Sequence, residues 1–327
     1  LTVTVDAGVR LADLQAALAA HGQTLPIDPP GDARGTVGGA LAVDAYGPLR
    51  HAYGTLRDWV IGMRVAGMDG AITKSGGRVV KNVTGYDMHK LHIGALGTLG
   101  LITQATFKLA PLPHTSATVT AAFDDAKDAC ALVMGVHGAG LALHAAEVLS
   151  PPAAQGITGH TRWCALLRVA GSRAAVDRSM RDLRAMVSNS GGALTVHEES
   201  DGIWSRWYDA FAPRALSLRC SALPSQIAQT LDELTHRLAD AAPMLSATVS
   251  AGLIRANLNA DGAGTRALVD AAERNGGSMV IDAAPVDLKR EIDVFGPLRA
   301  DFAIMRRLKE QFDPGRTLSP GRFVGRL

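Results

Sequence analysis

Between Leu101 and Leu109 the chain alternates. Leu101, Thr103, Ala105, Phe107 and Leu109 fall on one side, and Gln104, Thr106 and Lys108 on the other. That period of two predicts a strand with one buried face. Leu1–Val5 alternates in the same way. Val60–Ala66 and Ala71–Lys74 read as two more strands around the turn pair Asp69-Gly70. Between Asp6 and His21 the spacing changes, and Leu11, Leu14 and Leu18 mark one face of a helix. The run Pro26-Ile27-Asp28-Pro29-Pro30-Gly31 excludes regular structure.

After Ala110-Pro111-Leu112-Pro113 the rhythm becomes strand–helix–strand. Strands are expected at Ala117–Phe123, Ala142–Leu149, Arg162–Val169, Ala193–Glu198, Ala215–Ser221, Leu245–Ala251, Leu253–Leu258 and Met279–Ala283. Helices are expected at Asp125–His137, Arg173–Ser188, Gln226–Asp240 and Thr265–Asn275. Val176, Met180, Leu183 and Val187 form one stripe, and Ile227, Leu231, Leu234 and Leu238 another. One-sided stripes suit helices laid on one face of a mostly antiparallel sheet, an α+β layer. A last helix is expected over Leu298–Gln311, with Phe302, Met305 and Leu308 on one face. The domain expectation is therefore residues 1–113, then 114–285, then a C-terminal segment 286–327 that returns to the first domain.

Composition narrows the function. The 327 residues are 47% hydrophobic and 20% charged, with a net charge of +2 and both signs interspersed. A nucleic-acid footprint and a polybasic membrane anchor are both excluded, and no apolar run approaches a membrane span. The chain opens on Leu1 without a signal peptide, so an N-terminal piece is expected to be missing. Cys130, Cys164 and Cys220 are scattered and odd in number, which argues against disulfides and iron–sulfur ligation. Buried inert thiols in a reducing cytoplasm are the expectation.

Two glycine-rich segments carry the chemistry: Gly35-Thr36-Val37-Gly38-Gly39, and Gly94-Ala95-Leu96-Gly97-Thr98-Leu99-Gly100 leading into the Leu101 strand. Glycines let a backbone approach a flat or charged ligand, and consecutive N–H groups can face phosphate oxygens. With them stand Asp28-Pro29-Pro30, Tyr53-Gly54, Lys81-Asn82-Val83-Thr84-Gly85-Tyr86-Asp87, and a tail from Phe312-Asp313-Pro314 to Pro320-Gly321-Arg322. In this order the set resembles the FAD-linked oxidases with a vanillyl-alcohol-oxidase (PCMH-type) FAD domain. Within them the chain looks most like the small FAD-binding subunit of bacterial glycolate oxidase.

The resemblance implies a PCMH-type FAD-binding domain plus an α+β cap, and non-covalent FAD. The implied cofactor contacts are Pro30, Gly35, Thr36, Val37, Gly38, Gly39, Asp44, Ala45, Gly47, Tyr53, Gly54, Gly94, Gly97, Thr98, Gly100 and Ile102. It implies as partners a larger catalytic FAD subunit and an iron–sulfur subunit, a small 2-hydroxy acid as the complex's substrate, and a cytoplasmic place, peripheral to the inner membrane through partners. Two departures stand out. The family's phosphate loop would precede Leu1. Asp44 replaces the usual Asn, an unhelpful charge beside a pyrophosphate unless it faces away.

Catalytic residues are less legible. The His-x-Asp-Gly-Asn-x-His motif of related 2-hydroxyacid dehydrogenases is absent, and His137, His144 and His160 lack its neighbours. Lys81, Asn82, Tyr86 and Asp87 lie nearest the flavin by family position, or else form a structural turn. Arg322 either reaches the flavin edge or pairs with a surface acid. His89 and His92 stand three apart, but two ligands do not make a metal site, and no metal is expected. Arg178, Arg181 and Arg184 read as a solvated face, and Trp163, Trp204, Trp207 and Tyr208 as core or interface anchors. Besides the subunit, the open alternatives are a self-sufficient FAD-dependent D-2-hydroxyacid (lactate-type) dehydrogenase and a cofactor-free scaffold subunit.

Overall fold

A computed structural model describes residues 1–31, 35–79, 85–197, 200–213, 215–259 and 279–327. The helix expected over Thr265–Asn275 lies outside the described residues. The chain divides into two compact units. One comprises Leu1–Gly47, Gly54–Leu112 and Leu298–Leu327, the other Pro48–Tyr53 and Pro113–Pro297.

The first unit opens with β1 (Thr2–Asp6) and α1 (Leu11–Ala19), which buries Leu11, Leu14 and Leu18. Then come β2 (Gln23–Thr24) and α2 (Val37–Val43). The helix α3 (Arg50–Tyr53) that follows counts with the second unit. The first unit resumes with α4 (Leu56–Trp59), β3 (Val60–Ala66), β4 (Ile72–Gly76), α5 (His89–His92), β5 (Leu101–Lys108) and β6 (Ala110–Pro111). Four strands form an antiparallel sheet in the order β1-β5-β3-β4. Asp69-Gly70 turns the β3–β4 hairpin, with the Gly67 N–H closing onto the Ala71 carbonyl at 2.9 Å.

The alternation of β5 is broken once. Arg64 faces Gln104, but Val65 faces Ile102, so Thr103 is an extra residue on β5. A bulge of this kind reverses the side-chain phase. Leu101, expected inside, is therefore 65% exposed, and Ile102 is buried in its place. Beyond the bulge, Ala105, Phe107 and Leu109 are buried as the pattern requires.

The second unit is built from β7 (Thr115–Phe123), α6 (Ala126–Gly138), β8 (Leu143–Leu149), α7 (Pro151–Thr158), β9 (Trp163–Gly171), α8 (Arg173–Asn189), β10 (Ala193–His197) and α9 (Ser200–Ala210). It continues with β11 (Ser217–Ser221), α10 (Ile227–Arg237), β12 (Met244–Thr248), β13 (Leu253–Asn257), β14 (Met279–Ala283) and α11 (Val286–Glu291). The described strands form one antiparallel sheet in the order β10-β7-β9-β8-β12-β13-β11-β14.

The helices are not confined to one face of that sheet. Along β9, Trp163, Ala165 and Leu167 join the core under α6, α8 and α10. Cys164 and Leu166 instead join Trp204, Trp207 and Ile157, from α9 and α7, in a separate core. Pro151-Pro152 starts α7, because proline fits the first turn of a helix. All three cysteines are buried, and none is in a disulfide among the described residues.

Candidate functional site

The two glycine-rich segments meet in the first unit. Thr36 caps α2 by accepting from the Gly39 N–H at 3.1 Å. At the other end α2 stops on Asp44, whose φ of 49° is a left-handed conformation that Asp tolerates better than most residues. The Gly94 N–H donates to the Leu41 carbonyl at 2.9 Å, and the Leu96 N–H to the Ala42 carbonyl at 2.8 Å. A Cβ added at Gly94 would lie 3.4 Å from the Asp44 Cβ. The end of α2 and the Gly94–Gly100 turn are thus hydrogen-bonded neighbours.

The C-terminal segment closes this turn from its other side. On the helix Phe302–Phe312, Lys309 is buried, and its Nζ donates to the Thr98 carbonyl (2.8 Å), the Leu318 carbonyl (2.9 Å) and Asp313 Oδ2 (2.6 Å). Burial alone would raise the Asp313 pKa. The Lys309 ammonium, the Leu318 and Thr317 N–H groups and the Thr317 hydroxyl outweigh it and hold the carboxyl well below the usual carboxylate range. Pairing a buried ammonium with a buried carboxylate was not legible from the sequence, where Lys309 reads as one more surface lysine. The signal that could have found it is the spacing of four between Lys309 and Asp313 beside the Pro314-Gly315 break.

Several of the expected cofactor residues are occupied by the chain itself. The Val37 N–H donates to the Val9 carbonyl (2.9 Å) and the Gly38 N–H to the Ala7 carbonyl (2.8 Å). With Gly39 on Thr36, three N–H groups expected to face phosphate have intrachain acceptors. Gly47 and Gly100 are required by packing. A Cβ at Gly47 would stand 1.9 Å from the Asp28 carbonyl oxygen, and one at Gly100 2.5 Å from Val65 Cγ1. Ala45 donates its N–H to the Ala40 carbonyl, and the Gly35 carbonyl accepts from Leu11. Thr98 is buried with its hydroxyl on the Ala95 carbonyl. Pro30 lies in a half-buried turn, and Gly54 adopts φ +74° beside Asp58.

A demand for a ligand remains at Asp44. Its Oδ1 is buried and has no hydrogen-bond partner. A buried acceptor without a donor costs free energy that a ligand donor would recover. The sugar-alcohol hydroxyls of FAD are such donors, so this corner fits the cofactor, whereas the Val37–Gly39 backbone does not supply the phosphate contacts.

The described catalytic candidates, Tyr86, Asp87 and Arg322, are not brought together. Lys81 and Asn82 lie outside the described residues. Tyr86 is 91% exposed, Asp87 pairs with Lys90 at 2.8 Å on the surface, and Arg322 is exposed. His89 and His92 are both buried. His89 Nδ1 meets Ser75 Oγ at 3.1 Å, and His92 stands edge-on to Phe312. Among the described residues no three metal-ligating side chains cluster, and no helix is long and apolar enough to cross a membrane.

The second unit holds two polar clusters whose pairing the sequence does not show, one of them at the expected cofactor residue Tyr53. The Tyr53 hydroxyl lies 3.0 Å from His144 Nδ1. Burial, with Arg168 nearby, lowers the His144 pKa. Glu147 is buried inside β8 and accepts from Ser246 Oγ (2.6 Å) and Thr248 Oγ1 (2.5 Å), while Trp207 Nε1 donates to Ser246 Oγ at 2.9 Å. Burial pushes the Glu147 carboxyl up to about 7 against those hydroxyls and Arg255. A single acid within the apolar run Ala145–Leu149 was the available signal.

Residues 1–76 match the model of a family described as FAD binding domain. The chain is 32% identical over 204 residues to glycolate oxidase subunit GlcD of Bacillus subtilis, covering 60% of this chain and 43% of that protein. It is 40% identical over 118 residues to glycolate oxidase subunit GlcE of Escherichia coli, covering 36% of this chain and 33% of that protein. These alignments span less than half the length of each relative. A crystal structure of alkyldihydroxyacetonephosphate synthase superposes with a TM-score of 0.65 over 97% of this chain and 62% of that one, at 16% identity, a likeness of fold alone. The chain therefore has the fold of FAD-linked oxidoreductases with an α+β second unit, and FAD is the cofactor to which the domain match and the relatives point.

Proposed function

We propose that this chain is the FAD-binding subunit of a glycolate oxidase-like complex that oxidises a 2-hydroxy acid, glycolate to glyoxylate, and passes the electrons to an iron–sulfur partner. The observation that carries the reading is the junction of α2 with the Gly94–Gly100 turn, where Asp44 presents a buried acceptor without a donor. Bound there, FAD would relay electrons within the complex or serve a structural role. Asp44, Gly94, Gly97, and the backbone from Thr98 to Ile102 would hold it.

The described catalytic candidates stay dispersed, which supports a role beside a larger catalytic flavoprotein subunit. Any contact with the inner membrane would run through such partners. The test is expression of the full-length protein alone and together with candidate partner subunits. The isolated protein is expected to show no glycolate oxidation with a dye acceptor and to co-purify with the larger flavoprotein. Robust turnover by the isolated protein would favour a self-sufficient 2-hydroxyacid dehydrogenase instead. The Val37, Gly38 and Gly39 N–H groups, already bonded within the chain, favour a second reading, a scaffold subunit that kept the fold without the flavin.

A further inference from the structure

One face of the first unit's sheet carries a polar groove made of none of the flavin residues named above. Residues paired in register across antiparallel strands share a face of the sheet. Thr4 pairs with Thr106, Arg64 with both Gln104 and Lys74, and Gly62 with Gly76. With Gly77 and Arg78 these residues line a groove of about 250 Å³. Its floor is low because Gly62 and Gly76 have no side chains. Thr106 is buried there, with its hydroxyl 3.0 Å from that of Thr4. Arg78 turns back across the sheet, and its Nε donates to Thr4 Oγ1 at 3.2 Å.

The charges in this groove all have one sign. Arg64, Lys74 and Arg78 line it, and among the described residues no carboxylate does. Asp6, the register partner of Gln104, lies outside the lining and accepts the Gln104 amide at 3.0 Å. Arg64 and Lys74 stand directly opposite each other on β3 and β4, an arrangement that is destabilising on its own. An anion between them would reverse that sign. Guanidinium forks and hydroxyls suit phosphate oxygens, which accept several bonds at once. The volume suits a small ligand group and not a folded partner.

We propose that this groove binds the phosphate or diphosphate group of a small molecule, with Arg64, Lys74 and Arg78 as its cationic contacts and the Thr4 and Thr106 hydroxyls as its neutral ones. The site is independent of the flavin reading and is expected in protein with or without FAD.

Calorimetric titration of the full-length protein with inorganic pyrophosphate, ADP and adenosine tests it. Saturable pyrophosphate binding is expected, weakening with added salt. It should fall at least tenfold in an Arg64→Ser/Lys74→Ser variant and stay unchanged in Arg178→Ser, a control on the exposed side of α8. Equal affinity for pyrophosphate and ADP would assign recognition to the phosphates. Tighter ADP binding, with adenosine competing, would assign it to a nucleotide, and both outcomes support the site. Absence of saturable binding, or binding unchanged in a folded double variant, would overturn it. A second readout needs no variant. Pyrophosphate should slow acetylation of Lys74, read by mass spectrometry, and leave that of the exposed Lys127 alone. Equal labelling of Lys74 with and without pyrophosphate would also overturn the proposal.

Discussion

Lys309 Nζ lies 2.6 Å from Asp313 Oδ2, with both side chains shielded from solvent. The ammonium's three protons go to Asp313, Thr98 and Leu318, and the carboxylate takes three further donations, from the Thr317 N–H, the Thr317 hydroxyl and the Leu318 N–H. The pair ties the C-terminal segment to the turn that begins at Gly94.

Lys309→Met should therefore be costly. It leaves the Asp313 charge buried without its cation, a change worth about 3–5 kcal/mol. Urea unfolding of the first unit would read it, and limited proteolysis should then release the tail. The double change Lys309→Met/Asp313→Leu should cost less than the single one, because no charge is stranded.

The same carboxyl sets an acid limit. The Asp313 pKa is lowered in the folded state, so its contribution is complete above the ordinary carboxylate pKa, about 4, and is lost as pH falls below it. Asp313→Asn should remove that part of the acid dependence when stability is followed from pH 6 downward, a range chosen to span about two units above the ordinary value.

Glu147 has the opposite sign. Its folded pKa is raised to about 7. The protonated form is favoured in the folded state, so stability falls as pH rises from the ordinary value, about 4.3, toward 7. A shift of this size corresponds to roughly 3 kcal/mol. Glu147→Gln should flatten that slope in chemical unfolding measured across the window. An unchanged slope would place the charge elsewhere.

The thiols should be silent. Burial pushes Cys130 and Cys164 up to about 12, and Cys220 is buried as well. A thiol reagent at pH 8, about half a unit below the ordinary cysteine pKa, should label none of them in the native protein and all of them after denaturation.

These features differ in how readily the sequence betrays them. Leu11, Leu14 and Leu18 announce α1 because a helix repeats its buried face at that spacing, and Asp69-Gly70 announces its hairpin through turn chemistry. The bulge at Thr103 is invisible beforehand, since nothing in Leu101-Ile102-Thr103 marks an extra residue. α9 has a mixed pattern because its Trp204 and Trp207 carry the packing while their ring nitrogens bond Thr118 and Ser246. At the candidate site, the sequence marks the glycine segments as candidate ligand-facing loops and goes no further. Which N–H groups are already bonded, and which glycines are needed only for packing, depends on chain neighbours such as Ala7, Asp28 and Val65 that are distant in sequence.

At Asp44 the expected effect is on the cofactor. Asp44→Asn keeps an acceptor, tolerates the left-handed backbone and removes a charge, so FAD should bind several-fold more tightly, roughly tenfold at most. Asp44→Leu loses the acceptor and should weaken binding by a similar factor. Quenching of flavin fluorescence reads both.

The most direct measurement is the absorbance spectrum of the full-length protein as purified, followed by titration with FAD. The expected result is a yellow protein, or one that takes up FAD in equimolar amount and loses that capacity on Gly94→Val. A colourless protein that binds no added FAD, alone or with its partner subunits, would contradict the flavin site at Asp44 and Gly94.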